Sequence, residues 1–462
     1  MNEALFLSRL QFGWVISFHI LFPAFTIGLA SWLVFLEAWW LKTRNEHLRD
    51  LVFFWMKIFA VSFGVGVVSG IVMSFQFGTN WARFSADAGN IVGPLLNYEV
   101  LTAFFVEASF LGIMLFGWQR VSHKTHFACT LMVALGTLAS TFWIMSANSW
   151  MQTPAGYALK DGVFYPADWW KVIFNPSFPV RLVHMVMAAF LTTAFMIGGI
   201  SAYYLLRHRF VEKARLCLKA ALVFVAIVAP LQIVVGDMSG QEVRHNQPAK
   251  LAAIEAHWET SGNVPLVLFA VPNEETGSND HAVNVPHLGS LILTHSWSGS
   301  VEGLKSFPPD QRPPVAIPFY SFRIMVGLGV LMWLVAWYGL WRWKRGTAFT
   351  SRAYLRSWIW MMPSGFVALI AGWWVAEVGR QPWVVYGLMR TADAVSPNVN
   401  GGSVLTSLIV YVVVYVALFG FVGWYLLKML RVGPVEAPER KQPVQTAARP
   451  LSLADEEMGE RP

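Results

Sequence analysis

Charge is scarce in this sequence. Asp, Glu, Lys and Arg make up 13% of the 462 residues, about half the share found in a soluble domain. With 55% hydrophobic residues and 23 tryptophans, there is too little polar surface to clothe a water-soluble fold of this length. Cysteine is nearly absent. Cys129 and Cys217 are the two present, far apart and in or beside apolar segments, which excludes a disulfide framework and a zinc-type spacing. The motif C-x-x-C-H does not occur, so a covalently attached c-type haem is excluded as well. No tandem repeat is evident. A net charge of +7 could suggest nucleic acid, but the distribution of the basic residues gives it another meaning.

Long apolar runs are what the chain has in quantity. Windows near 14–41, 51–77, 93–118, 127–150, 180–206, 216–236, 319–341, 358–376 and 404–430 are each long enough to cross a bilayer. The expected fold class is therefore an all-α integral membrane protein with about nine transmembrane helices. The first window is too long for a signal peptide and no small-residue cleavage site follows it, so it is expected to be retained. Four connections, "KTRNEHLR", "QRVSHKTH", "RHRFVEKAR" and "WRWKRGTAFTSRAYLR", are dense in Lys and Arg. The alternate ones, 78–92, 152–179 and 377–403, carry Arg83, Lys160, Lys171, Arg380 and Arg390 alone. The positive-inside rule then places the N-terminus outside and the C-terminus in the cytoplasm.

This divides the chain into helices one to six (1–236), an outer connection (237–318), helices seven to nine (319–432) and a cytoplasmic tail (433–462) expected to be disordered. The outer connection is far longer than an ordinary loop, which points to function. Its "PAKLAAIEAHWET" reads as a short amphipathic helix.

Ionisable groups inside apolar windows are costly and mark pathways or cofactors. Of eleven histidines, His19 and His184 fall inside such windows and the others are expected in loops. Pro23 cannot donate to the carbonyl of residue 19, so the helix should bend where that imidazole projects. Two buried histidines, a thioether and no cysteine motif suggest noncovalent haem, whose usual axial ligands are His and Met. Met325, in "FYSFRIMVGLGV" beside Arg323, is the candidate thioether, and Arg323 would pair with an anion such as a haem propionate. Taken singly, each of these residues has an ordinary packing role as its alternative.

Glu99 and Glu107, eight residues apart on the third window, should stack on roughly one side of their helix, as a proton relay requires. Glu377 sits at the outer end of the eighth window, followed by Arg380. Glu37 and Lys57 lie nearer the inner ends, where snorkelling accounts for them. Gly66 and Gly70 in "GVGVVSG" have the spacing of close helix packing. With the N-terminus outside, His19, Glu99, His184, Met325 and Glu377 all fall near the outer ends of five different helices. That convergence implies a cofactor cluster at one depth.

The segments "SRLQFGWVISFHILFPAFTIGL", "KLAAIEAHWET", "FRIMVGLG" and "VAEVGRQPW" resemble subunit I of the cytochrome bd-type quinol oxidases, and the resemblance runs from the N-terminus through the ninth helix. It implies a respiratory oxidase that oxidises quinol at the outer face and reduces dioxygen to water, building a proton gradient without pumping. His184 and Met325 would ligate a low-spin haem b, where electrons first arrive. His19 and Glu377 would ligate two high-spin haems, a second haem b and haem d, in either assignment. Lys250 and Glu255 match residues tied to quinol oxidation. Glu99 and Glu107 match acids that bind haem and deliver protons. Arg323 and Arg380 match basic residues near haems, and Trp373 a tryptophan between them.

The chain runs from "HWET" to "FRIM" without the insertion that many relatives carry, so it is similar to the short-loop, cyanide-insensitive branch. There a third haem b is the alternative to haem d. Implied partners are oxidase subunit II, an optional small single-helix subunit, ubiquinol or menaquinol, and dioxygen, in a bacterial inner membrane. Two other readings remain open: a haem-bearing, quinone-linked electron carrier that does not reduce oxygen, and an ion transporter.

Overall fold

The structure is a computed structural model and describes residues 3–437. Among the described residues, nine helical segments are long and apolar enough to cross a membrane, as the hydropathy implies. The first runs from Glu3 to Thr43 but breaks at Ile20, into α1 (Glu3–His19) and α2 (Leu21–Thr43). The cause is Pro23, which has no N–H for the carbonyl of His19. Regular bonding resumes at once, with Ala24 N donating to Ile20 O at 3.1 Å. His19 is thus the last residue before a proline-induced break.

After α3 (Glu46–Thr79), the third crossing contains a second irregularity. It consists of α4 (Ala82–Glu99), one π turn over Val100–Phe104, and α5 (Phe105–Phe116). The wide turn lies between Glu99 and Glu107. Eight residues of pure α-helix make about 2.2 turns, and a wider turn inside that interval brings the two side chains closer to one face. Then come α6 (His123–Gln152), a hairpin of β1 (Tyr157–Lys160) and β2 (Val163–Pro166), α7 (Trp169–Ile173), α8 (Phe178–Leu206) and α9 (Val211–Asn246).

The polar stretch expected to begin the outer connection at 237 is instead a continuation of α9 as far as Asn246. The rest of that connection is folded. It holds α10 (Pro248–Glu255), an antiparallel hairpin of β3 (Leu266–Asn273) and β4 (Ser278–Val285), and α11 (Leu288–Thr294). The remaining crossings are α12 (Ala316–Lys344), the pair α13 (Arg352–Met361) and α14 (Ser364–Val378), and α15 (Gly401–Val432), with β5 (Trp383–Val385) and β6 (Met389–Arg390) before the last.

Helices in lipid pack closest where small residues let backbones approach. A β-carbon at Gly28 would lie 2.2 Å from Thr193 Oγ1, and one at Gly198 would lie 2.2 Å from Trp358; α2, α8 and α13 meet there. The largest core includes Leu29, Leu33, Trp55, Phe59, Phe195 and Trp358. At the opposite end the loops hold one another: Phe84 N donates to Ala394 O at 3.1 Å, Tyr386 N to Met151 O at 3.0 Å, and Arg390 pairs with Asp310 at 2.5 Å.

The start of the tail is tethered. Lys213 Nζ lies 2.7 Å from Asp50 Oδ2 and donates to Pro434 O at 2.7 Å, while Asp50 Oδ1 accepts from Ala437 N at 2.7 Å. The remainder of the tail, 438–462, lies outside the described residues.

Candidate functional site

The candidate ligands lie on separate helices. Among the described residues no three His, Cys, Asp or Glu side chains gather to hold a bare metal ion. A haem needs something different, one axial side chain for each face of the ring. His19, at the end of α1, has Nδ1 2.9 Å from Ser69 Oγ of α3, and its ring lies against Gly70. His184, in the second turn of α8, has its backbone carbonyl capped by Gln232 Nε2 at 3.1 Å. Its Nε2 lies 3.4 Å from the same amide nitrogen, while its Nδ1 is buried without a hydrogen-bond partner among the described residues, as is Gln232 Oε1. Met325 of α12 points its sulfur at Gly372 of α14. Trp373, the next residue of α14, packs against the core cluster that includes Ala24, Ile27, Met185 and Leu369.

The two arginines behave differently. Arg323 is fully engaged: it pairs with Glu255 Oε2 at 2.8 Å, donates to the carbonyls of Ile254 and Val267, and stacks over Phe319 with 4.0 Å to the ring centroid. Within the protein its anionic partner is Glu255. Arg380 pairs with Glu377 yet leaves Nε and Nη1 buried without partners among the described residues. Orphaned buried donors of this kind are rare in a finished fold. Together with His184 Nδ1 they fit an anionic, iron-bearing group between these helices.

Beside Glu377 is a hub of neutral polar side chains that composition and hydropathy did not single out. Glu377 Oε1 accepts from Asn148 Nδ2 at 2.9 Å and from Gln152 Nε2 at 3.3 Å. Arg181 donates to Ser149 Oγ at 2.8 Å and also to Asn148 Oδ1. Gln247 Nε2 donates to both the backbone and the side-chain oxygen of Gln152, at 3.0 and 3.1 Å. Lys250 completes it, giving its ammonium to Gln152 Oε1 (3.0 Å), Gln247 Oε1 (3.1 Å) and Ala376 O (3.0 Å). Those three acceptors use all the donors a lysine has. Lys250 thus clamps α10 onto α14.

Burial, with Arg181 nearby, lowers the Lys250 ammonium from 10.5 to about 7. The folded protein thus releases a proton that the unfolded chain keeps until its pKa is reached, so stability rises with pH across that interval. Thermal unfolding of the detergent-solubilised assembly should show a higher midpoint at about pH 9 than at about pH 7, and Lys250→Met should remove that gain. An equal gain in the variant would assign the effect elsewhere.

The two acids of the third crossing both face α6. Glu99 Oε1 accepts from Ser140 Oγ at 2.7 Å, and Glu107, 6% exposed, presses on Gly136, where a β-carbon would lie 2.6 Å from its Cγ. Two residues near the basic end depart from expectation. Glu37, assigned to snorkelling, is fully buried, and His126, placed in a loop, is buried in α6. Glu37 Oε1 lies 2.6 Å from His126 Nδ1 and its other oxygen accepts from Thr130 at 2.7 Å. His126 stands one residue before its apolar window, so window edges concealed it.

This geometry can be set beside known proteins. The family model described as cytochrome bd terminal oxidase subunit I matches residues 7–434. The chain is 38% identical to cytochrome bd ubiquinol oxidase subunit 1 of Bacillus subtilis (strain 168) over 457 residues, 96% of this chain and 97% of that protein. It is 34% identical to cytochrome bd-II ubiquinol oxidase subunit 1 of Escherichia coli (strain K12) over 516 residues, 96% and 99% of the two chains. The latter alignment is longer than the chain, so that relative carries inserted residues. In three dimensions the chain is similar to the bd oxidase of Geobacillus thermodenitrificans, with a TM-score of 0.85 and 31% identity over 94% of this chain and 100% of that one.

Proposed function

Since this chain belongs to the cytochrome bd terminal oxidase subunit I family, we propose that it takes electrons from a quinol at the outer face and uses them to reduce dioxygen to water, without a proton pump. One observation carries the reading: the short helix α10 is tied at both ends to helices bearing candidate haem ligands. Glu255 pairs with Arg323, two residues before Met325, and Lys250 is bonded to the carbonyl of Ala376, the neighbour of Glu377. A quinol docked on α10 is thus held against the helices that must accept its electrons.

His184 and Met325 would hold a low-spin haem b. His19 and Glu377 would hold the high-spin pair, a haem b with haem d or a further haem b, with Arg380 facing a propionate and Trp373 lying between them. Haem iron, when bound, supplies the one-electron and oxygen chemistry that no side chain here can perform. The chain's own part is positioning and proton handling. Glu255, steadied by Arg323, accepts a proton from the quinol hydroxyl. Lys250 keeps α10 seated. A cleft of about 280 Å3, lined by Gln152, Thr153, Asn246 and Tyr386 among others, opens beside the hub and offers that proton a way out. Glu107 and Glu99, on the α6 side, pass protons from the inner face toward the site of water formation.

With the N-terminus outside, protons are released on one side and consumed from the other, and each charge so separated stores about 2.3 kcal/mol per 100 mV. The assembly would include subunit II, and a small single-helix subunit as an optional third, in a bacterial inner membrane. Exposed apolar side chains such as Leu101, Phe105 and Phe116 suit a membrane partner or lipid. The donor would be ubiquinol, named for two relatives, or menaquinol, named for another from Bacillus subtilis.

The decisive experiment supplies the purified assembly with a reduced quinol and follows oxygen. Uptake with haem oxidation and reduction supports the proposal. Haem reduction by quinol without uptake would favour the electron-carrier alternative, and absence of a haem spectrum would favour the transporter. In the same assay Lys250→Met, which leaves three buried acceptors short of a donor, should slow quinol oxidation by about 10- to 100-fold with haem content intact. Normal turnover would remove Lys250 from the argument.

A further inference from the structure

Three helix glycines stand in one relation to the proposed axial side chains. A β-carbon at Gly372 of α14 would lie 2.9 Å from Met325 Sδ, and one at Gly70 of α3 would lie 3.1 Å from His19 Cε1. One at Gly236 of α9 would lie 3.5 Å from His184 Cε1. The first distance is shorter than real contacts allow, the second demands that the neighbour give by a few tenths of an ångström, and the third is ordinary contact. Other glycines on nearby turns are different. Gly64, Gly240 and Gly329 have nothing within 4 Å. Gly66, one turn before Gly70, meets Phe22 and Pro23 at 3.4 and 4.0 Å. The "GVGVVSG" stretch thus contains a packing glycine, as its spacing implies, and another that faces a candidate ligand.

Side chains in a close-packed interior transmit a displacement rather than absorb it. His19 cannot swing freely, because its Nδ1 is held by Ser69 on the same helix as Gly70. The Met325 thioether is flexible, but its sulfur is the atom that a methyl on residue 372 would strike. Axial bonds to iron tolerate little lateral movement, and axial ligation sets both spin state and potential.

We propose that Gly372 and Gly70 are positioning residues, which fix the reach of Met325 and His19 toward their irons by leaving the width of one methyl group open on the facing helix. Gly236, where a β-carbon would make ordinary contact with His184, is the tolerant member of the set. The inference rests on the ligand assignment proposed above.

The test is an alanine series in the whole assembly, in native membranes: G372A, G70A and G236A, with controls G64A on the helix of Gly70, G240A on that of Gly236, and G329A on α12, the helix that bears Met325. The readouts are reduced-minus-oxidised spectra, redox titration and total haem by pyridine haemochrome. In G372A the low-spin signal should fall by roughly half or more, or its potential should move, while total haem stays close to wild type. G70A should change the high-spin bands alone; G236A and the controls should match wild type. Met325→Leu in the same series separates the two ideas. If it leaves the low-spin signal intact, the ligand assignment is wrong. If it abolishes that signal while G372A is spectrally wild type, the positioning role is overturned. Should G372A not accumulate, G70A makes the same test at His19, where a smaller shift is needed, and unchanged high-spin bands there would overturn the proposal.

Discussion

Replacing His184 with alanine is expected to abolish the low-spin haem signal and to cut quinol-driven oxygen uptake by about 100-fold or more, because axial ligation is then lost on one face. The expectation follows from the imidazole's surroundings. His184 is partly buried in the second turn of α8; among the described residues its Nδ1 has no partner, its Nε2 lies 3.4 Å from the Gln232 side-chain amide, and its peptide carbonyl is capped by the same amide. A histidine serving only to bridge helices would have spent both ring nitrogens on neighbours, and His184 spends one. His184→Ala should leave the high-spin bands in place, since His19 and Glu377 lie on other helices. Retention of a normal low-spin spectrum in that variant would refute the assignment of this histidine. Loss of every haem signal, with the protein still assembled, would make it structural.

The second large effect is expected at Glu107. Glu107→Gln should lower oxygen uptake by about 100-fold, within the range by which a positioned proton-transfer group accelerates a reaction, while the haem spectra persist. Glutamine keeps the size of the side chain, so the tight contact with Gly136 is preserved and packing is not the variable. What it cannot do is carry a proton. Glu107 is buried and among the described residues no side chain is hydrogen-bonded to it, whereas Glu99 is bonded to Ser140, so the deeper acid is the better carrier. If Glu107→Gln loses haem, the residue supports the cofactor pocket and the relay must run elsewhere.

Much of this architecture could be read along the chain. Nine crossings follow from runs of apolar side chains, a property each segment has without reference to any other. The break at His19 follows from Pro23, a local rule of backbone bonding. The short helix of the outer connection was legible in part: it forms at Pro248–Glu255, but every residue from Ala249 to Glu255 is buried, so it is a core helix and not the amphipathic one expected. The helices that carry His19, His184, Met325 and Glu377 were legible as well.

Partnership was not legible. Arg323 meets Glu255, 68 residues away in sequence. Asn148 reaches Glu377 across 229 residues, and His126 reaches Glu37 across 89. Neutral Asn and Gln give no hydropathy signal strong enough to mark them, and a histidine at the edge of an apolar run looks like a loop residue. The π turn between Glu99 and Glu107 was also invisible, since its residues, Val100–Phe104, are ordinary apolar ones.

The sequence by itself determined how many times the chain crosses the membrane, which connections carry the basic residues, and which helices bear the ionisable groups. These are sums over neighbouring residues and need no fold. The tertiary structure alone decided which polar group satisfies which, that Lys250 clamps α10 onto α14 while Arg380 keeps open donors, and that glycines face the candidate ligands. In a medium with almost no water a buried polar group must find its partner within the protein, and only the packing of distant helices decides where that partner is.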